Sequence, residues 1–151
     1  MDTRPTTSHT IHRKYNFEQE IEIQRSILDE DERDPFVITF YMNAQDYIYG
    51  FIAKGTTGFT QYGYDIIAAS VSVLTINTIN SINEFTEDEA EIEQSKHYAK
   101  CIINGRVSKD AHLLLKSLRF GMYSIQNTYG NRFITIEEVK LERNKRFFGL
   151  L

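Results

Sequence analysis

Two apolar runs that lie close together in the chain impose the strongest constraint on its fold. The runs FVITFYMN (36–43) and YIYGFIAK (47–54) are rich in the aromatic and β-branched residues that favour strands, and only AQD separates them. Strands joined by so short a connection pair in antiparallel fashion. The sequence therefore predicts a β-hairpin, and the remaining apolar segments have to pack against its sheet.

A long apolar segment, DIIAASVSVLTINTINSINEF (65–85), follows a loop that contains three glycines. Its length and the placement of Asp65 as an N-cap favour a helix, whereas Val71, Val73 and Thr75 have poor helix propensity. Because a strand of this length without a turn signal would be exceptional, we predict a helix that is buried on most sides.

The C-terminal half contains the clearest helical pattern, in SKDAHLLLKSLRFGMYSIQNTYGN (108–131). Leu115, Leu118, Met122 and Ile125 recur at helical spacing, and Gly130 lies where a left-handed terminator belongs. HYAKCIIN (97–104) and RFITIEEVKL (132–141) are predicted strands. The acidic stretch TEDEAEIEQ (86–94) is interpreted as a solvated connection, and a further strand near it remains an open alternative.

This order of elements predicts an α+β fold, a two-layer sandwich of a mixed or antiparallel sheet with two main helices. Residues 1–33 form a separate, partly flexible N-terminal appendage that ends in DEDERD, and 34–151 form the α+β domain. Within the appendage, NFEQEIEIQRSIL (16–28) fits a helix or a strand, and the sequence does not decide between them.

Composition limits the classes of function. The formal net charge of −4 leaves no global basic footprint, so direct nucleic-acid binding is not expected. Cys101 is the only cysteine, which excludes an intrachain disulfide and fits a reducing compartment. With no signal-peptide core and no apolar run close to the ~20 residues of a membrane span, we expect a cytoplasmic protein without a membrane partner.

The glycine loop before the first long helix is the candidate functional site. Gly55, Gly58 and Gly63 lie between the hairpin and Asp65, but neither the P-loop spacing nor G-x-G-x-x-G is present, so a phosphate cradle is not supported. With Asp65 as N-cap, Ala68 would be the third helical residue, where a cysteine would be activated as a thiolate by the helix terminus.

These motifs resemble the ribosomal-processing cysteine proteases of the Prp family. The family signature, Gly-His-Ala-Gly-Tyr followed by Asp-Ile-Val-Cys-Ala-Ala-Val-Ser, is similar to GTTGF (55–59) and DIIAASVS (65–72). The similarity extends over nearly all of 36–141. In the family, the histidine is a general base and the cysteine is the nucleophile, and the substrate is the N-terminal extension of large-subunit ribosomal protein 27.

This chain carries Thr56 at the histidine position and Ala68 at the cysteine position. Alanine has no nucleophilic atom, and threonine cannot take up a proton near neutral pH, so the family mechanism cannot run here. The resemblance leaves Gly55, Gly58, Gly63, Asp65 and Ser72 as the peptide-binding loop and helix terminus. It also implies a homodimer and a peptide or active-paralogue partner, with no cofactor or metal.

Three alternatives stay open. Cys101 or Ser72 could act with a relocated base such as His97 or His112, although a lone strand cysteine is typically a core residue. The chain could be an engineered inactive form, although the paired loss of two catalytic residues favours a natural pseudoenzyme. The tail NKRFFGLL (144–151) could occupy the groove as a pseudosubstrate. His9 and His12, three residues apart, are interpreted as solvated rather than metal-binding.

Overall fold

The computed structural model describes residues 16–28, 34–55 and 62–141. Within these ranges the chain forms three helices and five strands, which are, in chain order, α1 (Phe17–Leu28), β1 (Phe36–Met42), β2 (Ile48–Lys54), α2 (Tyr62–Phe85), β3 (Ala90–Ser95), β4 (Tyr98–Ile103), α3 (Lys109–Tyr129) and β5 (Ile134–Lys140).

The five strands form one mixed sheet in the order β3-β4-β2-β1-β5. The β1/β2, β2/β4 and β3/β4 pairs are antiparallel, and β5 pairs in parallel with β1. The predicted hairpin is confirmed, with Val37 opposite Lys54 at its open end. The predicted α+β class is confirmed as well. Because buried and half-buried residues alternate along β1 and β4, one face of each strand enters the core.

The acidic stretch is only partly a connection. Residues 90–95 form the edge strand β3, so the interpretation of 86–94 as a solvated connection was wrong for this part, and the alternative of a further strand is correct. Ala90 and Ile92 are half-buried, while Glu91 and Glu93 are exposed. This alternation lets a strongly acidic segment pair with β4 and keep its charges in water.

Helix α2 differs from its prediction in two respects. It begins at Tyr62, three residues before the predicted Asp65 cap. It is also buried along one face instead of on most sides, with Val73 and Phe85 largely exposed. The buried face consists of Ile67, Val71, Thr75, Thr78, Ile79 and Ile82.

The two buried threonines of α2 are accommodated because their hydroxyls bond within the helix. The Thr75 Oγ1 donates to the Ser72 carbonyl oxygen at 3.1 Å, and the Thr78 Oγ1 donates to that of Leu74 at 2.8 Å. Ile66–Phe85 is long and apolar enough to cross a membrane, contrary to the expectation from the sequence, but a third of it is buried inside this fold. We interpret it as a core helix.

Helix α3 matches its prediction. Its predicted apolar stripe is buried, and Gly130 caps its C-terminus with a φ of 110° while its N–H donates to the Gln126 carbonyl oxygen. Ser108 is the N-cap: its Oγ accepts from the Ala111 N–H at 3.0 Å and donates to the Asp88 carboxylate at 2.6 Å. The segment left undecided in sequence, 16–28, contains helix α1, which contacts α2 and α3.

The cap of α3 generates a stability prediction. Ser108→Ala removes both hydroxyl hydrogen bonds and should lower the free energy of unfolding by about 1 kcal/mol, as measured by urea denaturation. Ser124→Ala is the matched control, because the Ser124 hydroxyl is exposed and donates only to the Phe120 carbonyl of its own helix. Equal unfolding midpoints for the two variants would contradict the capping role.

Candidate functional site

A cavity of about 560 Å³ lies between the N-terminal half of α2 and the β3–β4 hairpin. Its α2 wall consists of Ala68, Ala69, Val71, Ser72, Thr75 and Ile76. Residues 94–99 of the hairpin form the opposite wall, and Phe36 and Ala53 of the first two strands line the remainder. The volume is within the range of small-ligand and peptide side-chain pockets.

The structure brings together part of the site that the sequence predicts. Ala68 and Ser72 lie on consecutive turns of α2 and line the cavity together. Gly63 and Asp65 are in the first four residues of the same helix. Thr56 and Gly58, as well as the tail 144–151 and the histidines His9 and His12, lie outside the described residues.

Gly55 has a packing role that the sequence did not reveal. It follows the last residue of β2, and its N–H donates to the carbonyl oxygen of His97 at 2.7 Å. A Cβ at this position would overlap the ring of Phe36, which lines the cavity. A side chain at position 55 would have to displace the Phe36 ring, and glycine avoids this cost.

The early start of α2 changes the electrostatics expected at position 68. Because the helix begins at Tyr62, Ala68 is its seventh residue instead of its third. The unpaired N–H groups that give a helix terminus its positive character belong to the first turn. The helix terminus therefore offers less stabilisation to a negative charge at position 68 than the sequence predicted.

The cavity holds no activated nucleophile among its described residues. Ala68 has none, and the Ser72 hydroxyl, although exposed to the cavity, makes no hydrogen bond to an imidazole in the described part of the chain. The sole thiol is Cys101, which is fully buried in β4, and burial raises its pKa to about 11. Its assignment as a core residue is confirmed.

The two described histidines have different surroundings. His112, near the start of α3, accepts the Ile48 N–H at its Nδ1 (2.9 Å) and stacks on the Tyr47 ring with 4.5 Å between centroids. His97 lies in the two-residue turn between β3 and β4 and lines the cavity. Sequence reasoning placed His97 at the start of a strand and missed this location, because only the β2–β4 register brings it to the site.

The described residues include no group of three or more His, Cys, Asp or Glu side chains arranged to hold a metal ion. The cavity lining is mainly apolar and small, with serine, threonine and glutamine side chains and the charged Lys96 at its hairpin end. Such a lining can hold a peptide through a few hydrogen bonds and apolar contacts.

Comparison with known proteins identifies the family. The family model for the cysteine protease Prp matches residues 36–134, which is more than half of the chain. The chain belongs to the Prp family. The matched range contains every strand and helix that lines the cavity. No curated protein sequence matches the chain.

Solved structures share this fold at low sequence identity. SMU.848 from Streptococcus mutans is 19% identical and superimposes with a TM-score of 0.62, covering 71% of this chain and 99% of that one. The ribosomal processing protease Prp from S. aureus, in complex with a substrate peptide, is 19% identical with a TM-score of 0.62, covering 68% and 98% of the two chains. The same protease in complex with a covalently linked product peptide gives a TM-score of 0.61 at 19% identity, with the same coverage.

The His112 contact predicts a pH dependence of stability. Burial lowers the pKa of the His112 imidazole below its usual value of 6.5, and Lys116 and Arg119 add to this effect. The unfolded chain binds the proton more tightly, so the contribution of this group is complete above pH 6.5 and is lost as the pH falls through the folded-state pKa. The free energy of unfolding should therefore decline between pH 7.5 and 5.

His112→Asn is the matched variant, because its side-chain oxygen can still accept the Ile48 N–H but does not titrate. The decline of the unfolding free energy from pH 7.5 to pH 5, measured by denaturant titration, should be smaller in the variant than in the parent chain. The other histidines titrate in both proteins, so their contribution drops out when the two declines in unfolding free energy are subtracted. Parallel pH profiles would show that the contact does not depend on protonation.

Proposed function

We propose that this chain is a non-catalytic Prp-family protein that binds an extended peptide in the cavity between α2 and the β3–β4 hairpin. The observation that carries the proposal is Ala68, which lies in the cavity wall where the resemblance places the nucleophilic cysteine. No other described lining residue supplies an activated nucleophile, while the cavity itself is intact. A protein that binds a peptide without cutting it needs the pocket but does not need the reactive group.

The lining supports a peptide ligand. Its apolar part consists of small and aromatic side chains, and its polar part contains hydroxyl and amide groups that can pair with a peptide backbone. The hairpin wall includes the end of the edge strand β3, whose outer backbone groups have no strand partner within the described sheet. Such an edge can accept an extended segment by strand addition.

The S. aureus protease, which shares this fold, has been solved with a substrate peptide and with a product peptide, and this supports a peptide as the ligand of the present chain. For this chain we propose the N-terminal extension of ribosomal protein 27 as the first peptide to test, because the Prp family processes this segment. The chain would then bind in the same biological setting, ribosome biogenesis in the cytoplasm, without cutting. An active Prp-family paralogue is the other partner that this function would accommodate.

We further propose that the protein is a homodimer and that 34–151 is its functional domain. Leu113 and Phe120 support the dimer, since they lie seven residues apart on one face of α3 and are largely exposed. Sedimentation velocity at micromolar concentration tests this proposal. A monomer there, with no change on Phe120→Asp, would refute it.

An active hydrolase with relocated groups is the second candidate, because Ser72 and His97 line the same cavity. These two described residues share no hydrogen bond, so the hydrolase is less well supported than the binding proposal. Incubation of the parent chain with the extension peptide, followed by mass spectrometry, separates the two candidates. Cleavage that is lost in Ser72→Ala would establish the hydrolase.

Peptide binding generates a direct prediction. Titration of the extension peptide, followed by calorimetry or fluorescence anisotropy, should give saturable binding, and Ala68→Leu should weaken it at least tenfold because the larger side chain fills the cavity. Val73→Leu is the matched control, since Val73 is on the same helix but points to solvent. No saturable signal at millimolar peptide would refute the proposal, and equal losses in both variants would place the binding site elsewhere.

A further inference from the structure

The β2–β4 ladder brings His97 opposite Gly55, the residue that precedes position 56, to which the family resemblance assigns the histidine. Lys54 is opposite Tyr98 in the antiparallel register, and the next pair along is Gly55 with His97, joined by the hydrogen bond from the Gly55 N–H to the His97 carbonyl oxygen. Residues directly opposite in such a ladder have Cα atoms about 5 Å apart. His97 is therefore the cross-strand neighbour of the residue that precedes position 56.

His97 also lines the cavity proposed to bind the peptide. It is half-buried, and it lines the same cavity as Ala68 and Ser72, across from the α2 wall. The lining thus includes one imidazole among its described residues, and that imidazole comes from the hairpin instead of the glycine loop. An imidazole here can donate or accept a hydrogen bond to a ligand in the cavity.

The backbone at His97 is in a conformation that glycine would adopt at lower cost. Its φ of 65° lies in the left-handed region, where a residue with a Cβ is disfavoured. A two-residue turn with this geometry ordinarily selects glycine or asparagine. A histidine at this position therefore reduces the stability of the turn, and a strained residue that lines a cavity is an arrangement common at functional positions.

We propose that His97 is a ligand-binding residue of the cavity, the imidazole that replaces the one missing from the loop. It hydrogen-bonds the peptide at the position 68 end, and it would pair with a thiol placed at that position. The peptide part of this inference rests on the proposed function, whereas the thiol part does not. The other titratable groups beside His97 are Lys96 and Tyr98, its chain neighbours in the lining, and Lys54, which pairs with Tyr98 at the end of β2.

The thiol part is tested with Ala68→Cys, without any change at position 56. In the probe reaction with iodoacetamide, the sulfur attacks the methylene carbon, iodide leaves, and the thiol proton passes to the imidazole or to water. A neighbouring imidazole that stabilises the thiolate should make alkylation at pH 7 about tenfold faster than in Ala68→Cys combined with His97→Asn. Asparagine keeps the tolerance for positive φ and removes the titrating ring.

The parent chain supplies the background, because its buried Cys101 should react slowly. Equal alkylation rates in the single and double variants would overturn the pairing of His97 with position 68. This result is independent of any peptide, so it is distinguishable from a failure of the proposed function.

The native chain supplies a second measurement that needs no introduced cysteine. The ring signals of His97 in a ¹H–¹³C spectrum should shift on addition of the extension peptide, and His97→Gly should weaken binding while raising the melting temperature. Saturable binding that leaves the ring signals unchanged, or that is unaffected by His97→Gly, would overturn the ligand-binding role. A glycine variant that loses both affinity and stability would show that His97 acts only through the fold.

Discussion

The pairing of β2 with β4 is the interaction on which the site depends. The ladder runs from Gly50 opposite Ile102 to Lys54 opposite Tyr98, and the Gly55 N–H extends it to the turn. At Gly50 the backbone of β4 is so close that a Cβ would meet the Cys101 carbonyl oxygen. This close approach fixes the hairpin wall of the cavity relative to the strand that leads into the glycine loop.

Helix α2 provides the other wall, and its amphipathic burial explains how it does so. Ile67 and Val71 hold the helix in the core, while Ala68 and Ser72, one residue further along on each turn, face the cavity. Small side chains there keep the cavity open. The same geometry would present a cysteine at position 68 to a ligand, whereas the alanine found there lines the cavity without a nucleophilic atom.

The sequence predicted correctly the features that depend on residues close together in the chain. The β1–β2 hairpin, the buried stripe of α3 and the Gly130 cap follow from residue spacing and turn chemistry within a few residues. The edge strand inside the acidic segment, which the sequence left as an open alternative, and the place of His97, which it missed, depend on pairing with distant residues. The predicted start of α2 was wrong. Of the predicted site residues, Ala68 and Ser72 meet in one cavity, whereas Thr56 and Gly58 lie outside the described residues.

We propose that this Prp-family chain retains a peptide cavity and lacks only the reacting groups. The most direct test is mass spectrometry of the ribosomal-protein extension peptide after incubation with the parent chain and with Thr56→His plus Ala68→Cys. We expect the parent chain to leave the peptide intact and the double variant to cleave it at one bond. Cleavage by the parent chain, or no cleavage by a folded double variant, would contradict it.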